Sequence, residues 1–460
     1  MLAQRPTAKK IGLAAVLLAT VLGAAGCQDE SRPAASGTTS ASETIPQPAV
    51  GGLAVAPDSE RVDLLTPTYS SPTNVDNPLF PVSSQRSVLM LGRVEGQPFR
   101  TEVTLLPETR IIEWQGQQIE VLVSQYVAFL SGRLHEVAYD LYAQDDNGAV
   151  WYFGEDVFNF REGFIADTHG TWIAGKDGPA AMIMPADPQV GDVYRTENIP
   201  GFVFEEVTVK DVDRTLRGPL GPVPGGILVE ELHLDGATEG KTFGPGYGEF
   251  LTAGGGEVEA LALAVPTDAL AEPIPPELLT LQSAALAVFD AAGSGDWTAA
   301  RASVEELTAA WKAVSAGEVP ARLGPQLGRA LARVKAGVAD RNVQQARQGA
   351  IDVARWSLDL QLRHRPVAEV DLARFDLWAA QILVDAAAGD ADAVNGDFFS
   401  LDYLRDRIRQ ALSEPDLVKL NIRLEELNGA VGDQDLKAAA DEAQRLRETV
   451  AGFSPLDEGR

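Results

Sequence analysis

The chain has 460 residues, 45% of them hydrophobic, with 38 Lys and Arg against 66 Asp and Glu and a formal net charge of -28. That balance excludes nucleic acid and flat contact with anionic lipid, because both carry the charge the protein already has. It is compatible with cations or basic partners, and solubility outside the cytoplasm accounts for it more simply.

Arg5, Lys9 and Lys10 precede Ile11 to Gly26, an uncharged run of 16 residues ending in Ala24-Ala25-Gly26 just before Cys27. A basic end, a short apolar core and small residues make an export signal. The run falls short of the roughly 20 residues a membrane-crossing helix needs. The small residues leading into Cys27, with Leu22 upstream, resemble the bacterial lipobox, although Ala24 stands where that pattern usually has Leu. The resemblance implies that the signal, 1–26, is removed and that Cys27 carries two or three acyl chains, enough for stable anchoring. The mature chain then holds 35 basic against 66 acidic groups, or -31. Cys27 is the only cysteine, so a lipidated chain has no thiol left for a disulfide, a thiolate zinc site or a nucleophile. The expected address is the cell membrane or the outer membrane, lipid-anchored and facing the extracytoplasmic side, with Gln28 resembling an outer-membrane sorting context.

The stretch 27–66 is rich in Ser, Thr, Ala, Pro and Gly and reads as a flexible tether. From 67 to 265, Gly, Pro, Thr, Val and aromatics dominate and the pattern is that of strands. Gln117 to Leu130 is a long β-prone run. In Glu136 to Gln144, Val137, Tyr139, Leu141 and Ala143 alternate with Glu136, Asp140 and Gln144. Asp146-Asn147-Gly148 suits a type I′ hairpin turn, with a return strand over Ala149 to Gly154 that is apolar on both faces. Further strands are expected near 98–106, 192–197, 203–213, 226–234 and 257–265. No helix fits between them, which argues against a parallel α/β sheet.

Prolines 266, 273, 275 and 276 mark a linker over 266–276. Beyond it, 277–453 is rich in Ala, Leu, Arg, Asp and Gln. Gly295-Asp296, Ala339-Asp340, Gly389-Asp390 and Gly432-Asp433 recur at spacings of 44, 50 and 43, with Pro320, Pro366 and Pro415 between them. Glycine suits a helix end, and aspartate accepts from the free amides of the next helix. Apolar residues at helical spacing, such as Leu372, Phe375, Ala379, Ile382 and Ala386, predict eight helices in four hairpins. The expected fold is α+β and multidomain: an antiparallel β half-barrel or barrel followed by an all-α helical-hairpin bundle or repeat.

Few residues carry recognisable chemistry. Glu155 and Asp156 follow the aromatic strand and could act on a glycan, but the deciding carboxyl separation is not a sequence quantity. The histidines are His135, His169, His233 and His364, with no H-E-x-x-H spacing. His169, in Thr168-His169-Gly170-Thr171-Trp172, is the best placed for a pocket. There is no G-x-S-x-G, Walker loop or dinucleotide fingerprint, and Thr252 to Glu257 reads as a turn. The acids of the helical part, Asp359 beside Arg363 among them, read as solvated ion pairs. No catalytic residue, metal ligand or cofactor is assigned. Trp151, Tyr152, Glu155, Asp156, His169 and Trp172 are the candidate ligand-binding residues.

The segment from Tyr139 to Glu155, YDLYAQDDNGAVWYFGE, resembles a recurring segment of bacterial secreted proteins and lipoproteins with no assigned activity. An aromatic often stands there in place of Leu141. The likeness continues through Gly170-Thr-Trp-Ile-Ala-Gly175, Ile183-Met-Pro185, Val190-Gly-Asp-Val-Tyr-Arg195 and Gly244-Pro-Gly-Tyr-Gly248, over roughly 75–252. It implies a β-rich fold and no catalytic residues. The reading that follows is a membrane-anchored, non-catalytic binding lipoprotein for a small molecule or an envelope protein. The alternatives are a carboxylate-dependent glycan hydrolase and an acidic cation-binding protein.

Overall fold

The computed structural model describes residues 52–456. The predicted signal, Cys27 and residues 28–51 of the predicted tether lie outside them. Within the remainder of that stretch, the chain is fixed to the sheet: the Ala56 amide donates to Glu206, Val62 to the Val193 carbonyl, and Arg195 to Asp63. A 3-10 turn covers Asp58–Glu60.

Fourteen strands follow. They are β1 (Ser87–Val94), β2 (Gln97–Trp114), β3 (Gln117–Leu130), β4 (Arg133–Gln144), β5 (Val150–Arg161), β6 (Phe164–Asp167), β7 (Trp172–Ile173), β8 (Ala181–Met184), β9 (Val193–Ile199), β10 (Val203–Arg217), β11 (Pro222–His233), β12 (Thr238–Gly244), β13 (Gly248–Gly254) and β14 (Glu257–Val265). They form one open antiparallel sheet in the order β6-β5-β4-β3-β2-β1-β14-β13-β12-β11-β10-β9, with β7 and β8 both paired to β5. The sheet curls so that its two ends face each other, and β8 packs alongside β9 without closing the ladder. The expected half-barrel is therefore present. Its interior is packed with Val121, Leu141, Trp151, Phe153, Trp172, Met184 and Tyr194.

Two local expectations require correction. The return strand runs on to Arg161, so Glu155 and Asp156 sit mid-strand rather than at a strand end. The turn before it is not type I′, since Gly148 has positive φ (97°) but Asn147 does not. The buried Asp145 carboxylate shapes the turn instead, accepting from the amides of Asn147 (2.9 Å) and Ala149 (3.0 Å) and from the Trp151 indole (3.1 Å). A carboxylate that serves two backbone amides removes the need for two left-handed residues.

The helical part has eight helices: α1 (Pro276–Ser294), α2 (Trp297–Val314), α3 (Leu323–Ala339), α4 (Val343–Gln361), α5 (Val367–Ala388), α6 (Ala391–Ile408), α7 (Glu414–Gly432) and α8 (Leu436–Val450). Two of the predicted Asp caps are in place: Asp296 and Asp390 accept from the first amides of α2 and α6, each after a left-handed glycine. The other two shift by two residues. Asn342 caps α4 and Asp435 caps α8, while Asp340 and Asp433 close the preceding helices. There the left-handed residue is Arg341 or Gln434. The turn types thus alternate, so α1–α4 and α5–α8 repeat one another. α1 packs on α2 and α4, and α5 packs on α6 and α8, giving two four-helix groups with their own cores. Among the described residues no helix is long and apolar enough to cross a membrane.

The two parts share their interior. Leu89, Leu91, Leu263 and Val265 of the sheet join the core of α1–α5, and Tyr403 of α6 packs among Val127, Phe129 and Phe160. Asp359 does not pair with Arg363 in solvent. It is fully buried and holds Arg100 of β2 and Arg374 of α5, because the helix carries it into the sheet–helix seam.

Candidate functional site

The six candidate residues do not converge. Trp151 faces the dry core, against Trp114 and bonded to Asp145. Trp172 is fully buried, its indole nitrogen 3.3 Å from Glu197. Asp156 turns to the opposite face of β5 from Glu155 and pairs with Arg110 at 2.5 Å. Two adjacent strand residues point to opposite faces, so Glu155 and Asp156 cannot act on one substrate. His169 sits in the loop after β6 with its ring 5.3 Å from that of Phe202. Of the six, Tyr152 lines the cavity of the half-barrel, and Glu155 lies against Glu197 of its wall. A register shift opposite Asp140–Tyr142, with Gly154 at φ 112°, breaks the alternation and lets both act on Asp140.

That inner wall is the candidate site. A cavity of about 210 Å³ is lined by Tyr142, Tyr152 and Tyr194, by Phe80 and Phe243, and by Glu197, Glu205, Glu231 and Glu249 against a single ammonium, Lys241. Strands from both ends of the sheet meet here: Glu155 of β5 is hydrogen-bonded to Glu197 of β9.

The electrostatics are those of carboxyl groups crowded in low dielectric. Burial, then the neighbouring Asp140 and Glu197 charges, pushes Glu155 well above the usual carboxylate range. Burial and Glu205 raise Glu197 to about 8. Burial raises Asp140 to about 7, against the lowering effect of the hydroxyls of Tyr152, which donates at 2.9 Å, and Tyr142. Glu155 and Glu197 are therefore both held toward the protonated form, because burial and a like charge in contact each oppose ionisation. Burial and Glu205 similarly lift Glu231 to about 7. Above this layer, Glu136 and Glu259 are lifted to about 7 and about 8, chiefly by burial.

Two internal cations offset part of this. Lys241 lies 2.5 Å from Glu231 and 3.3 Å from Glu239. His233 lies 3.1 Å from Glu205 and 3.5 Å from Glu239. Burial works against a charge on His233, but Glu205 and Glu239 outweigh it and hold its pKa at about 10. Glu205, Glu231 and His233 bring one donor atom each within 4.8 Å of one another, a spacing that suits a metal ion. A metal requires the neutral imidazole and free carboxylates, whereas here His233 is protonated and Lys241 already covers Glu231.

Sequence reasoning missed Glu197, Glu205, Glu231, His233 and Lys241. The available signal was the pair of alternating patterns Glu231-x-His233 and Glu239-x-Lys241 on strands whose intervening positions look harmless. The chain matches no protein-family model and no curated protein.

Proposed function

We propose that the chain is a lipid-anchored, extracytoplasmic, non-catalytic binding protein whose half-barrel receives a small organic cation. The observation that carries this reading is the cavity wall: five aromatic rings and four carboxylates against one ammonium. Aromatic faces and carboxylates together recognise ammonium groups by cation–π attraction and ion pairing. Lys241 already pairs with Glu231 and His233 with Glu205, which leaves Glu197 and Glu249 for a ligand. A glycan hydrolase would need two carboxyls roughly 5–10 Å apart, while Glu155 and Glu197 are in hydrogen-bond contact. Anchoring through Cys27 belongs to the same reading and rests on the lipobox resemblance.

The test is calorimetric titration of the mature chain with spermidine, choline and calcium. Spermidine or choline should bind, with affinity that rises from pH 6 to pH 9 as Glu197, held at about 8, ionises. Glu197→Gln and Glu249→Gln should each weaken binding at least tenfold. Binding of calcium alone would favour a metal-collecting protein, and no binding of any of the three would remove the reading.

A further inference from the structure

A second cavity, about 130 Å³, lies where β2 and β3 meet α4 and α5, away from the acidic wall. Phe99, Phe129, Trp356 and Trp378 line it together with three guanidiniums, Arg100, Arg355 and Arg374, and the Glu102 carboxylate. Phe129 stacks on Trp378 with ring centroids 5.3 Å apart. The Arg355 guanidinium lies 4.8 Å from the Trp378 ring.

The charges around it do not balance. Arg100, Arg374 and Arg407 are matched by Glu102, Asp359 and Asp371, each guanidinium having a carboxylate within 2.8 Å. Arg355 has no carboxylate within ion-pairing distance among the described residues. Its helix neighbour Asp352 is engaged by Arg333 at 2.8 Å and by Gln348. The buried Nε of Arg374 also has no hydrogen-bond partner. Burial, with Arg100 nearby, depresses the Arg355 pKa despite the attraction of Asp352. Arg355 itself is half-buried, and a guanidinium held there without an ion-pair partner gains from a ligand that completes it.

We propose that this cavity is a second binding site, for a small carboxylate carried on an apolar body. The carboxylate sits on the Arg355 guanidinium, whose planar fork matches it, and the body lies in the aromatic slot. Drug-sized ligands occupy roughly 300–1,000 Å³, so the space here admits a single ring or short chain. This site is independent of the half-barrel cavity, and neither reading requires the other.

Calorimetric titration of the mature chain with benzoate, hexanoate and chloride tests it. Benzoate or hexanoate should bind in preference to chloride. Arg355→Gln should weaken the carboxylates at least tenfold while leaving the chain folded, and Trp378→Leu should weaken benzoate more than hexanoate. Equal binding by Arg355→Gln, chloride bound as well as benzoate, or no carboxylate binding by the wild type overturns the proposal. Failure of Arg355→Gln to fold also overturns it, because the guanidinium would then be a structural group.

Discussion

Arg100 of β2 and Asp359 of α4, separated by 259 positions in the chain, meet through two hydrogen bonds of 2.7 and 2.8 Å in the buried seam between sheet and helices. Arg374 joins at 2.7 Å from the same carboxylate, and Glu102 gathers Arg100 and Arg407. A fork-on-carboxylate contact of this kind is short, directional and shielded from salt.

Removing one partner there should be severe. Asp359→Ala is expected to cost about 3–5 kcal/mol, because it leaves buried guanidinium charge uncompensated. Urea unfolding of the variant measures this. A loss below about 1 kcal/mol would mean that the pair behaves as an exposed one.

The Asp145 turn supplies a second prediction. Asp145→Ala strands two backbone amides and the Trp151 indole, and should destabilise by about 2–4 kcal/mol. Asp145→Asn keeps one carbonyl oxygen for the amides and should cost less. Equal losses for the two variants in thermal unfolding would show that the carboxylate is not what holds the turn.

The acidic wall gives stability a pH dependence of definite sign. Glu197 titrates at about 8 in the folded chain, above its ordinary range, so between the two the folded state binds more protons than the unfolded state. Stability then falls as pH rises from about 4.5 through about 8. Glu197→Gln removes one such group and should flatten this fall, gaining on the wild type by about 3 kcal/mol at pH 8 relative to pH 5. Parallel stability–pH curves for the two proteins would contradict it.

Lys241 tests the balance of the same wall from the other side. Lys241→Met leaves Glu231 and Glu239 without their ammonium, and is expected to cost about 2–4 kcal/mol at pH 8. At pH 5 the loss should shrink, since Glu231, at about 7, takes up a proton there. The two carboxylates left without an ammonium, Glu231 and Glu239, should also let calcium raise the melting temperature of the variant more than that of the wild type. A loss independent of pH and cation would assign Lys241 a packing role.

Much of the layout was legible because it depends on short-range rules. Gln117 to Leu130 was read to the residue as β3, since its β-branched and apolar run has no interruption. The run at 98–106 was read too short, because Pro107 and the charges after it break the pattern. In the structure Pro107 sits in a register shift between Leu105 and Thr109, where no ladder donor is needed, and the strand continues to Trp114. β12 and β13 were not separated from loops, as glycine and polar residues give them no apolar alternation.

The candidate site was much less legible. Glu155 and Tyr152 were named, but for the company of neighbouring aromatics, and Asp156 came with them although it faces the other way. What makes Glu155 unusual is burial beside Asp140 and Glu197, and what makes Arg355 unusual is that none of the carboxylates near it pairs with it.

By itself, the sequence determined the order of parts, the antiparallel strands, the eight helices and the left-handed ends at Gly295 and Gly389, because periodicity, capping and turn chemistry act within a few residues. Only the tertiary structure decided which acids are held toward the protonated form, which are neutralised and which arginine is left over. Those outcomes depend on the curl that sets β5 against β9 and on the docking of α4 onto β2, where burial strengthens every charge interaction that solvent would have screened.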